Sequence, residues 1–374
     1  MVKDLFKNYI YPIATLAGSI IGVGFLSLPY ITVRVGVWPV LFYFAVLVGL
    51  VLYLHVIFGN ICLKTPDHKR FPGFVGFYLG SVAKKITVVS ILLGSFGLCV
   101  VYVIVGAQFL TAIVSPLFGG SYYHYIFLYF LLGAIAVYFN VNIISKIELF
   151  TLLFLLTAFV VVLVKGMAQI HPQQLFGLNP SLNFSEWFLP YGPIIFSLWG
   201  VGLIPEVEEM LSGRKKLLKR IIVIGTLIPA VAYVLFVFLV VSISGNATTE
   251  SALLGLKHFL GPGVFLVALS VGFFTTFAAF ITQGLFLKKT FVYDLGTSNF
   301  FAWAVTCTVP VALFLLGFNS FIPLISLMGG VLFGINGIFI LLMHKKIGGR
   351  ALIAYPLAIV FLLGIVYEIV YFIK

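Results

Sequence analysis

Residues 9–32 form an apolar run long enough to cross a bilayer, yet its middle reads Gly18-Ser19-Ile20-Ile21-Gly22-Val23-Gly24, with Pro29 close behind. Three glycines and a proline therefore fall where hydrocarbon is driest. A backbone N–H or C=O that faces lipid without a partner costs on the order of several kcal/mol. A helix interrupted at that depth survives only where protein covers it or a polar ligand uses the freed groups. A second interruption, Trp199-Gly200-Val201-Gly202 with Pro205 just beyond, lies in the run 189–211. Two interrupted spans in corresponding places point to a solute carrier whose site is made by the breaks.

The rest of the chain fits a membrane setting. It is 62% hydrophobic and only 9% charged, with a mean hydropathy of +1.21. A soluble fold of 374 residues could not hide that much apolar surface. Apolar runs predict eleven transmembrane helices at 9–32, 37–60, 86–113, 124–141, 147–166, 189–211, 220–243, 263–287, 299–317, 320–343 and 351–373. The fold expected is all-α and integral to the membrane. Residues 9–166 would form one inverted repeat and 189–343 a second, with 351–373 an additional helix in a single 1–374 domain. The stretch Phe71–Gly80, bracketed by lysines, reads as an interfacial helix. Residues 250–260 read as a short helix in a loop.

The net charge of +12 is a matter of topology. With a cytoplasmic N-terminus, eighteen Lys and Arg fall on inner loops against four outside (Arg34, Lys165, Lys257, Lys374). That bias orients the chain in a cell membrane with its C-terminus external, and no nucleic-acid partner is needed to explain it. No signal peptide is evident, so the first helix would itself start insertion. Nothing supports an enzyme: the six histidines are scattered, and no metal or phosphate motif is present.

At the first break, the carbonyls of Gly18 and Ile21 lose helical partners, and Gly22, Val23 and Gly24 open a new half-helix. Its amides and positive dipole end suit a carboxylate. The freed carbonyls suit an ammonium or a small cation, so one break can hold both ends of an amino acid zwitterion. Gly18 and Gly22 could instead make a close-packing surface between ordinary helices. At the second break, Phe196 or Trp199 can close over a ligand, and the Ser197 carbonyl can accept from its ammonium, with Gly200 beside it as a further substrate-binding candidate. Gly272, Thr275 and Thr276 in the eighth span offer hydroxyls and carbonyls for sodium, although threonines often bond back to their own helix. Glu206 is the acid nearest a break and a candidate gating or proton group. Glu208 and Glu209, with Arg214 to Lys216, read as helix-end ion pairs. Glu368, near the end of the last span, reads as peripheral. With no fixed charge beside either break, the substrate side chain should be neutral.

These residues are familiar as a set. Gly18 to Pro29 resembles the first helix of the amino acid/auxin permease family, within the amino acid–polyamine–organocation superfamily. Phe196 to Glu206 is similar to that family's sixth helix, and Asn142-Ile143-Ile144-Ser145-Lys146-Ile147-Glu148 to its link into the fifth. Bacterial aromatic amino acid permeases are the nearest members. The resemblance implies a LeuT-type fold of five-plus-five inverted repeats with helices 1 and 6 broken, alternating access and cation-coupled amino acid symport. It implies a sodium site at Gly18, Ile21, Gly272, Thr275 and Thr276, a carboxylate site at Gly22 to Gly24, and Phe196 as an aromatic gate; Ser19 is a further substrate-binding candidate. Some proton-driven relatives carry a lysine within the fifth helix. None stands here between Lys146 and Lys165, which tilts the expectation from H⁺ toward Na⁺. A channel or sensor on the same scaffold is the alternative function. Valine at Gly22 is expected to abolish uptake of labelled amino acid while leaving the protein in the membrane, as membrane blotting beside an uptake assay would show.

Overall fold

The computed structural model describes residues 5–67, 69–139, 157, 160, 163–178, 186–211 and 215–373. The link motif at 142–148, most of the fifth span at 147–166 and Arg214 lie outside them. All regular structure among the described residues is helical.

The first apolar run is not one helix. It forms α1 (Phe6–Ile20) and α2 (Val23–Val35), bent by 49° across residues 21–22. Then come α3 (Val37–Lys64), α4 (Phe71–Leu79), α5 (Ser81–Phe118) and α6 (Tyr122–Tyr138). The sixth span is broken as expected, into α7 (Tyr191–Leu198) and α8 (Ile204–Met210) joined by a 3₁₀ turn at Val201–Leu203. The chain continues as α9 (Leu218–Ser244), α10 (Pro262–Lys289), α11 (Asn299–Leu315), α12 (Phe321–Lys346) and α13 (Ala351–Ile373). Among the described residues, six helices are individually long and apolar enough to cross a membrane, and the bent pair α1–α2 makes a seventh. The shorter α6 and α11 are also apolar. Large apolar side chains such as Phe118, Phe300, Leu315, Leu352 and Leu363 stand exposed on these helices, as a surface solvated by lipid requires.

Two expectations change. The third span, expected at 86–113, is a longer helix from Ser81 to Phe118. The short helix expected at 250–260 is only a 3₁₀ turn at Leu253–Leu256. Ala252 before it has φ 56°, a left-handed conformation that no α-helix continues through. Gly261 caps the following helix, α10.

The chain divides into two compact units, and each takes pieces from both halves of the sequence. One comprises Met1–Ile91, Pro180–Val237 and Ile325–Lys374, and the other Leu92–Asn179 and Phe238–Leu324. The second unit is built around Tyr129 of α6, whose ring meets the edges of Phe273, Phe277 and Phe280 of α10 at centroid distances of 5.3–6.0 Å. Gly133, one turn further along α6, faces Phe280. Polar groups tie the helix ends: Trp303 Nε1 donates to the Ala134 carbonyl (2.9 Å), and the Tyr122 hydroxyl to that of Ile104 (3.0 Å). A β-carbon at Gly133 would stand 2.6 Å from Phe280 Cδ1. Gly133→Val is therefore expected to destabilise the protein by about 1–3 kcal/mol, the usual cost of overpacking, seen as a lowered thermal midpoint in detergent.

Candidate functional site

Both breaks belong to the first unit, and the structure joins them. At the first, Ile21 leaves helical geometry (φ −74°, ψ 85°) and Gly22 is extended (φ −111°, ψ −161°). The Ile21 amide still bonds Ala17 (3.0 Å), but the Gly22 amide turns to the Ile20 carbonyl (2.8 Å). Gly18 therefore loses the i+4 donor that a continuous helix would provide. No side chain among the described residues caps the first turn at Val23, so the start of this half-helix stays available to an anion. Among the described residues, nothing lies within 4 Å of where a Gly22 β-carbon would stand. The break therefore opens onto space.

At the second break, Trp199 (φ −75°, ψ 113°) ends α7, and Gly200 (φ −128°, ψ 13°) leads into the 3₁₀ turn. A β-carbon on Gly200 would meet Ile20 Cγ1 at 2.6 Å, and one on Gly24 would meet Phe196 Cε1 and Ser197 Oγ at 2.8 Å. Each break thus needs a glycine so that the other can approach. Sequence reasoning named these glycines for ligand contact; the structure gives Gly24 and Gly200 a packing role between the breaks as well.

Two residues missed in the sequence hold the broken ends. Tyr233 of α9 is buried, and its hydroxyl lies 2.8 Å from the Ile20 carbonyl and 3.2 Å from the Ser197 carbonyl. It can donate to the last carbonyls of both half-helices, and Phe25 stacks on its ring at 5.3 Å. His55 of α3, fully buried, accepts from the Gly200 amide at Nε2 (3.2 Å) and meets Thr226 Oγ1 at Nδ1 (3.0 Å). A backbone amide can only donate, so the ring must be neutral with its proton on Nδ1, donated to Thr226. A polar side chain well inside a long apolar helix was the available signal for both.

The aromatic gate candidate is placed at the breaks. Phe196 and Trp199 both stack on Phe333 of α12, with centroids at 5.9 and 5.0 Å and nearly parallel planes. Other candidates are engaged locally. The Ser19 hydroxyl donates to Leu16 and that of Ser197 to Pro193, each within its own helix. Thr276 likewise donates to the Gly272 and Phe273 carbonyls (both 2.9 Å), whereas the buried Thr275 hydroxyl finds no partner among the described residues. Gly272, Thr275 and Thr276 lie on α10 in the second unit. Glu206 sits in the first turn of α8, half-buried, with Oε2 unpartnered among the described residues. Glu368 is not peripheral: it is 2% exposed. Among the described residues, no group of three or more His, Cys, Asp or Glu is arranged to hold a metal ion.

The profile of the tryptophan/tyrosine permease family matches residues 7–256, two thirds of the chain, taking in both breaks, His55 and Tyr233. The chain belongs to this family. No curated protein matches it. Among solved structures, the permease is similar to Mhp1, a nucleobase-cation-symport-1 family transporter in a closed conformation with bromovinylhydantoin bound. The identity is 15% and the TM-score 0.62, over 88% of this chain and 76% of that one. It is also similar to MhsT, solved in complex with L-phenylalanine, at 12% identity and a TM-score of 0.55 over 97% of both chains. Those likenesses are of fold, and that fold is LeuT-type. The permease is a membrane transport protein built on two broken helices.

Removing either tie should be felt. Tyr233→Phe leaves buried carbonyls without a donor and His55→Leu leaves the Gly200 amide without an acceptor. Each is expected to cost about 1–3 kcal/mol, measured as a drop in thermal stability of the purified protein. His55→Gln, whose amide oxygen can still accept, should recover part of the loss.

Proposed function

We propose that this permease is a secondary active transporter that takes up a neutral aromatic amino acid, tryptophan or tyrosine, together with a cation, by alternating access. The single observation that carries the reading is the junction of the two breaks. Tyr233 reaches carbonyls on both, while the uncapped start of α2 at Val23 and the space beside Gly22 remain for a ligand. The substrate carboxylate would bind at Gly22 to Gly24, where first-turn amides and the helix dipole favour a negative charge. Its ammonium would meet the freed carbonyls around Gly18 and the Ser197–Gly200 turn. Phe196 and Trp199, with Phe333 behind them, would present ring faces to an aromatic side chain. The family match and the amino acid bound in MhsT favour such a substrate.

For the coupling cation, sodium or a proton, the candidate oxygens within the second unit are those of Gly272, Thr275 and Thr276 on α10. Thr275 offers the free hydroxyl. Thr276 would have to release the Gly272 and Phe273 carbonyls before joining a coordination shell, so Thr275 should matter more for a sodium site. The charge bias of the loops favours a cytoplasmic N-terminus and an external C-terminus. The repeat relation of 9–166 to 189–343 would then let the two broken helices work as a pair across the membrane.

Purified protein in liposomes is expected to accumulate radiolabelled tryptophan or tyrosine above the external concentration when an ion gradient is imposed. A full panel of amino acids with no gradient-driven uptake would refute the reading. If sodium is the coupled ion, Thr275→Ala should raise the sodium concentration needed for half-maximal uptake more than Thr276→Ala does.

A further inference from the structure

Glu368 lies outside both breaks, yet it is the most enclosed acid among the described residues, 2% exposed against 7% for Glu208. It sits in α13 in a socket built from glycines. A β-carbon at Gly192 of α7 would stand 2.5 Å from Glu368 Oε1 and 2.6 Å from the Ser326 carbonyl oxygen. One at Gly330 of α12 would stand 3.0 Å from Glu368 Cδ, and Gly364 leaves room for the Tyr191 ring. Gly330 lies in a π-helical turn, Met328–Leu332, on which α7 packs. Glu368 Oε1, the Tyr191 hydroxyl and Ser326 Oγ are all buried without a hydrogen-bond partner among the described residues. The Gly192 amide faces the carboxyl.

The charges around this socket are few. On α7 the titratable group is Tyr191; on α12 there is none beside it, and Ser326 is the polar neighbour. On α13 itself are Tyr367 and Tyr371, and Tyr43 of α3 faces Tyr191 and Tyr367. Arg34 acts on Tyr371 and is held in an ion pair by Glu186. No lysine, arginine or histidine among the described residues acts on Glu368 directly. An ionised carboxylate without a counter-charge is costly in such a place, and the neutral acid is the form that fits.

We propose that Glu368 is a proton-binding site of the transport cycle. It holds a proton while α7 is packed on α12 and α13, and loses it to water when they part. The proposal rests on the transport reading above and adds a proton as a transported ion, with its residue. One proton moves between water and the carboxylate, and no other bond changes. The packed form binds more protons than the open one, so its share is full at low pH and falls as pH rises. Acid on the entry side would favour closure behind the substrate.

The test uses sodium-free liposomes with the membrane potential clamped. For one proton per substrate, a gradient of about one pH unit, acid outside, should drive about tenfold accumulation of tryptophan by the wild-type protein. Glu368→Gln, which imitates the neutral acid, should bring accumulation down to simple equilibration while tryptophan still shifts its thermal midpoint. A variant that keeps gradient-driven accumulation overturns the proposal. A second readout needs no variant. Dicyclohexylcarbodiimide adds to protonated carboxyls in apolar surroundings, and mass spectrometry should find it on Glu368 of the wild-type protein, more at acid pH. Label that is absent at every pH, or indifferent to pH, also overturns it. Absence of tryptophan counterflow in the wild type would instead refute transport itself, and the labelling would still judge the proton site.

Discussion

One hydroxyl group holds this site together. Tyr233 carries a single proton that can be donated, and two carbonyls lie within its reach, from Ile20 and Ser197. Each belongs to a half-helix that has ended inside an apolar run, where no water can satisfy it. Without that donor the two breaks would be defects. With it they become a junction whose geometry is set by a buried ring, itself fixed by Phe25 and, through Phe25, by Phe236. His55 does the complementary work, accepting from the Gly200 amide where Tyr233 donates to carbonyls. Donor and acceptor needs at the second break are thus met by different helices, α9 and α3.

This division leaves selected backbone groups free. The ties satisfy Ile20, Ser197 and Gly200, while the start of α2 at Val23 has no side-chain cap and Gly22 borders open space. A ligand carboxylate would therefore complete the hydrogen bonding of the fold. The aromatic wall of Phe196, Phe333 and Trp199 adds a flat apolar face beside the same turn. In the proposed reading, polar recognition of the zwitterion and apolar recognition of its side chain would be carried by separate groups, as selective small-molecule sites require.

The breaks were legible because glycine and proline act locally: an apolar run containing Gly18, Gly22 and Gly24 cannot remain an ordinary lipid-facing helix. The places of the long apolar helices were legible for a similar reason, since bilayer thickness sets a minimum span, although α5 runs past its expected bounds at both ends. The partners were not. His55 meets Gly200 across 145 positions and Tyr233 meets Ile20 across 213, and no periodicity in either helix announces the match. The hydroxyls of Ser19 and Ser197 bond within their own helices, because a short hydroxyl side chain can satisfy itself on the preceding turn. Glu368 looked peripheral from its place near the chain end. What buries it are absent side chains at Gly192 and Gly330, whose nearness to it only tertiary packing reveals.

The π-turn at Met328–Leu332 fixes more than the socket beside it. A wider turn holds one residue more than the regular winding before and after it, as if a bead had been slipped into α12. Deleting that bead would rewind the helix and rotate everything upstream by about 100° relative to Phe333. Ser326 would swing away from α7, while the ring that backs Phe196 and Trp199 stayed where it is. The acid's enclosure and the aromatic wall are thus kept in phase by a single surplus residue, and α12 tolerates length changes there far less readily than its plain apolar composition implies.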